Sequence, residues 1–112
     1  MDVEAALIAH LGTTLGVPAA GDVPSPRPAM LVTVERTGGP CDALVDEASL
    51  AVQCWGPTRA AAAELAASAR RALPSMEEAD GVASCECDSM AWFPGEAGEP
   101  RYQLAVHVTA YA

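Results

Sequence analysis

Lysine is missing from this chain altogether, and six arginines are the only permanent cations among its 112 residues. Against fifteen Asp and Glu they leave a net charge of −9. Phosphate contacts need Lys and Arg, so this balance excludes a protein that holds nucleic acid by neutralising its backbone. Aromatic residues are scarce as well, with one Phe, two Trp and two Tyr. Apolar burial stabilises by roughly 25 cal/mol per Å², so a core built largely of alanine packs closely and gains little per side chain. Such a protomer stands to gain from assembly. No apolar run approaches the roughly 20 residues that span a bilayer, so no membrane partner is expected. Residues 1–20 lack the basic start and cleavage site of a signal peptide. The expected place of folding is a cytoplasm, where the four cysteines stay reduced.

Patterns that carry chemistry are equally thin. Cys85 and Cys87 share one face of an expected strand, but paired zinc ligands favour two to four intervening residues. Cys41 and Cys54 have no such partner nearby. Buried free thiols are the plainer reading, and a thiol metal-binding module is the alternative. Neither His10 nor His107 has a Ser, Cys or carboxylate at a recognisable catalytic spacing. Gly38-Gly39 precedes no helix and has no lysine beside it, so it reads as a turn and not a phosphate cradle. These patterns predict no enzyme, no cofactor and no metal centre.

What the chain does have is a strand feeding a helix, in residues 46–73. Ala48, Leu50, Val52 and Cys54 alternate with polar or small neighbours, which is the period of a half-buried strand. The period then changes. Ala62, Leu65, Ala66, Ala69 and Leu73 recur at helical spacing and form one apolar stripe. Gly56-Pro57 marks the junction, with Pro57 expected at the first helical position, and Pro74 ends the helix. Residues 2–15 read as an earlier helix, capped by Asp2 and stopped at Gly16. Residues 17–29 are too proline-rich for a central strand.

Strands are expected at residues 30–36, 47–55, 81–92 and 101–111, with a bulge near Ser89, where the apolar side of the third strand switches. Residues 75–80 read as a polar loop, and residues 37–46 as a loop long enough to project or carry a contact. The predicted fold is a single α+β domain of order α-β-β-α-β-β. Two helices cover one face of a four-stranded, mainly antiparallel sheet, and the other face is left to water or a neighbour. Trp55 falls on that nominally open face, so a loop or another subunit should cover it.

The order and spacing of several short segments resemble the tail terminator proteins of long-tailed bacteriophages and prophages, especially those of actinobacterial hosts. The segments are Leu15-Gly16-Val17-Pro18, Arg27-Pro28, Glu35-Arg36-Thr37-Gly38-Gly39, the strand from Asp46 to Gln53-Cys54-Trp55, Pro57-Thr58-Arg59-Ala60, and Pro100-Arg101-Tyr102-Gln103. The resemblance implies a ring of probably six copies at the head-proximal end of the tail, in a virion assembled in the bacterial cytoplasm. Such a ring ends polymerisation of the tail tube protein, meets the head-tail connector or head-closure protein, and leaves a bore through which DNA passes without specific binding. A head-closure or tail-completion protein is the neighbouring alternative.

The residues expected at a subunit or partner contact are Arg36, Thr37, Gly38, Gly39, Asp46 and Trp55. Asp42, Glu47, Glu96 and Glu99 are the candidates for an acidic bore or loop, where like charge would keep phosphates from adhering. Arg36, the one base near the Gly-Gly turn, is expected to pair with an acidic residue within or across the ring.

Overall fold

In the computed structural model, which describes residues 1–111, the first helix is α1, Val3–Leu15. The Asp2 side chain accepts from the Ala5 N–H at 3.0 Å, and Gly16 ends the helix in the left-handed region at φ 66°. The other elements are β1 (Ala19–Ala20), β2 (Leu31–Gly38), β3 (Val45–Trp55), α2 (Arg59–Ala72), a 3-10 helix (Pro74–Glu78), β4 (Val82–Trp92) and β5 (Arg101–Tyr111). Thr58 caps α2 by accepting from the Ala61 N–H at 3.1 Å. Pro57 therefore precedes the cap and does not open the first turn. Gly56 permits a close approach here, since a Cβ on it would lie 2.7 Å from the Ala62 nitrogen.

The sheet has five strands in the order β1-β2-β3-β5-β4, not four. The extra strand, β1, runs parallel to β2, with Ala19 opposite Val32 and Ala20 opposite Thr33. Pro18 prepares this pairing by offering its carbonyl to the Val32 N–H at 2.9 Å, and the prolines from Pro24 onward come only after the chain has left the edge. Every other neighbouring pair is antiparallel. The chain makes one hairpin, β2–β3, crosses the sheet through α2, and makes a second, β4–β5, whose return strand slots in beside β3.

Both helices share one core against one face of the sheet. Val3, Leu7 and Leu11 of α1 and Ala62, Leu65, Ala66, Ala69 and Ala72 of α2 meet Val32, Val34, Leu50, Val52, Leu104, Val106 and Val108. Residues 75–80 contribute more than a loop. The 3-10 helix sends Met76 into the core at 1 % exposure, and the Glu77 Oε1 accepts from the Cys85 N–H at 3.2 Å. The expected bulge in β4 lies between Cys87 and Ser89. A second, between Val82 and Ser84, turns Ala83 outward and gives the buried place to Val82.

Candidate interaction surfaces

Alternation sends the remaining strand residues to the other face, which no helix covers. Its middle is small around Ala51 and Ala105, which lie opposite each other on β3 and β5, with the exposed Glu35 of β2 beside Ala51. Side chains tie three strands together across it. Trp55 Nε1 donates to Thr33 Oγ1 at 3.1 Å, Thr33 Oγ1 donates to Gln53 Oε1 at 3.2 Å, and Gln53 Nε2 donates to Gln103 Oε1 at 3.1 Å. A hydrogen-bond chain of this kind fixes each member's rotamer and stiffens the surface that carries it.

One end of this face is the tip of the β2–β3 hairpin. Arg36 grips Asp46 with both NH groups at 2.7 Å and donates further to the carbonyls of Gly38 and Gly39. This is the only ion pair among the described residues, and it lies within the chain. Hydrogen bonding from Arg36 holds the Asp46 carboxyl below the usual carboxylate range, and the same bond raises the guanidinium. Asp42 Oδ1 accepts from the N–H groups of Leu44 and Val45, which lowers its carboxyl as well. Thr37 Oγ1 donates to the Ser49 carbonyl at 3.2 Å. Gly39 has φ 100° and sits against the Glu47 carbonyl, which leaves no room for a side chain. The result is a stiff tip with Leu44, 76 % exposed, at its apex.

The other end gathers the large aromatics. Trp55, 5 % exposed, lies under the Arg27 guanidinium at 5.4 Å and the Arg101 guanidinium at 4.8 Å. The connector between β1 and β2 thus covers Trp55 from within the chain. Arg101 also lies 5.0 Å from the Phe93 ring and donates to the carbonyls of Phe93 and Pro94. On the helix side Arg59 sits 4.4 Å over Trp92, which packs edge-on against Tyr102.

The structure therefore splits the residues singled out from sequence. Arg36, Thr37, Gly38, Gly39 and Asp46 come together with Asp42 and Glu47 at the first tip. Trp55 lies at the far end with Glu96 and Glu99, which belong to the β4–β5 tip. β3 has eleven residues between them, about 30 Å of chain at a strand's rise per residue. The four acidic candidates form no single patch. Sequence reasoning missed Arg27, Arg59 and Arg101; the available signal was that Arg101 opens the last strand just where Trp55 closes the expected second one.

The thiols lie elsewhere. Cys85 and Cys87 line a groove of about 390 Å³ between α2 and β4, with Arg70, Leu73, Glu86 and Asp88. Burial pushes the Cys54 and Cys85 thiols up to about 12, so both are protonated at neutral pH. Cys87 donates weakly to the Ser89 carbonyl at 3.4 Å. Among the described residues no three His, Cys, Asp or Glu side chains converge closely enough to hold a metal ion.

No protein-family model matches this sequence, and no curated protein matches it. Among solved structures, the fold is similar to that of a chain in the virion of a native gene transfer agent particle. The TM-score is 0.64 over 98 % of this chain and 95 % of that one, at 17 % identity. A likeness at this identity is one of fold.

Proposed function

We propose that this chain is a structural virion protein, and specifically a tail terminator that forms a ring, of six copies on the family resemblance, at the head-proximal end of a tail tube. The observation that carries the reading is the sheet face without helices, small at Ala51 and Ala105 in its centre and stiffened by the Trp55, Thr33, Gln53 and Gln103 chain. A neighbouring copy that covers it would supply the burial that an alanine-rich core lacks. The likeness of fold, over 98 % of this chain, to a chain in the virion of a gene transfer agent particle supports the same class. Ring function needs no reacting group; His10 Nε2, which lies 3.0 Å from Ser75 Oγ and 2.8 Å from the Ala72 carbonyl, ties α1 to the end of α2. Six copies at −9 each would surround the passage with charge of the same sign as DNA.

Electron microscopy and sedimentation of the purified protein, alone and with polymerising tail tube protein, test this. The expected result is closed rings that cap tubes and shorten them, with ring formation lost in Ala105→Arg at the centre of the open face. A protein that stays single and leaves tube length unchanged overturns the reading. Rings that bind a connector but leave tubes uncapped would instead assign it to head closure.

A further inference from the structure

A closed ring of identical chains needs a heterologous contact, one patch on each copy fitting a different patch on the next. The two ends of the open face supply such a pair. At the far end Arg27, Trp55, Arg101 and Phe93 stand in a row of alternating guanidinium and ring. Neither arginine in that row has a carboxylate partner among the described residues, although the chain contains fifteen acidic side chains. Phe93 leaves 49 % of its surface in water. The row itself is thus positive and partly apolar, and the nearby Glu99 turns its Oε1 to the Ala97 N–H of its own turn and not to either arginine.

The β2–β3 tip is its complement. Leu44 forms an exposed apolar knob, and two N–H groups hold the Asp42 carboxyl beside it below the usual carboxylate range. The Arg36 fork holds the tip in one conformation before anything binds, which lowers the ordering cost of docking. The tip cannot reach the row in its own chain, because the length of β3 separates them. From these observations we infer that the Leu44 tip of one copy seats against the Arg101 and Phe93 end of the next, as the contact that propagates the ring. Leu44 packs on the exposed Phe93 ring, and the Asp42 carboxylate faces the Arg101 and Arg27 guanidinium groups. The inference rests on the ring reading above and names the surfaces that close it.

A mixing experiment tests it. Leu44→Arg disables the tip and leaves the row intact, whereas Phe93→Asp disables the row and leaves the tip intact. Both positions are exposed, and circular dichroism and the thermal midpoint check that each variant keeps the fold. Each variant alone should sediment as a single chain. An equimolar mixture should form dimers and nothing larger, because every pair has one working contact and two dead ends. Raising salt should weaken assembly of the unmodified protein, since the contact pairs opposite charges. Rings from Leu44→Arg alone, or a mixture that forms either no dimer or full rings, would overturn the contact and leave the ring reading standing. An unmodified chain that stays single with and without tube protein would overturn both.

Discussion

The two hairpins solve one problem with different partners. In each, an arginine at the strand end donates to two carbonyls of the adjoining turn: Arg36 to Gly38 and Gly39, Arg101 to Phe93 and Pro94. Arg36 then meets a carboxylate, Asp46, while Arg101 lies between two aromatic rings. A bidentate carboxylate neutralises a guanidinium and uses its fork, so the Arg36 charge is consumed within the first tip, and Asp42 and Glu47 keep that tip negative. Ring faces attract the cation through their quadrupole but leave its charge in place. One end is rigid because its one guanidinium is matched by a carboxylate, and the other is rigid while its guanidinium groups keep their charge.

The aromatic end should depend most on a single side chain. Trp55→Ala removes the ring beneath both Arg27 and Arg101 and deprives Thr33 Oγ1 of its donor. A loss of about 3–5 kcal/mol is expected for a buried Trp, read as a shift in the denaturant midpoint. Trp55→Phe keeps most of the packing and isolates the hydrogen bond, at about 1 kcal/mol. A loss below about 1 kcal/mol in Trp55→Ala would mean that the arginines are positioned by their carbonyl contacts alone.

A glycine in each tip sharpens the contrast. Gly39 and Gly98 both have positive φ, at 100° and 82°. A Cβ on Gly98 would meet nothing within 4 Å, whereas one on Gly39 would run into the Glu47 carbonyl and lie 2.9 Å from the Ser49 nitrogen. Gly98→Ala should therefore cost only the left-handed backbone term, about 1 kcal/mol, and Gly39→Ala about 2–3 kcal/mol. Equal midpoint shifts for the two would show that the first tip can move away from β3.

Legibility in the sequence followed the same division between periodic and aperiodic features. α1, α2 and β5 are readable because their apolar residues repeat at 3.6 or 2 and their ends carry Asp2, Gly16, Gly56-Pro57 and Pro74, although the α2 cap falls on Thr58 and not at Pro57. The bulge at Ser89 was readable as a break in that period. β1 was not, since two alanines have no period and pair only because Pro18 and β2 present a template. Met76 was hidden inside a run of acidic residues, and only the 3-10 turn aims it inward. Alternation shows that Trp55 needs cover but not which residues supply it, since Arg27 and Arg101 lie on segments distant in the chain. Side-chain clusters of that kind depend on strand order, which local periods do not encode.

Smaller effects separate the two ways of holding an arginine. Arg59→Ala removes the guanidinium from the Trp92 face and should cost about 0.5–1 kcal/mol, the range for an exposed cation on a ring. Because rings do not titrate, that cost should be the same at pH 3 and pH 7. The first tip should behave otherwise. Asp46 and Asp42 both have folded-state values below their unfolded ones, so their contribution is fully present above the unfolded carboxylate value of about 3.9 and is lost as pH falls through the lowered folded values. Amide exchange at Leu44 and Val45 should therefore accelerate, relative to the ladder amides in the middle of β3, only below about pH 4. Asp46→Asn should remove the part of this acid response that belongs to the Arg36 fork and leave the part that belongs to Asp42. Protection at the first tip that stays level from pH 7 to pH 2 would mean that Gly39 and the strand pairing hold it without the carboxylates, and the difference between the two tips would then be one of sterics and not of charge.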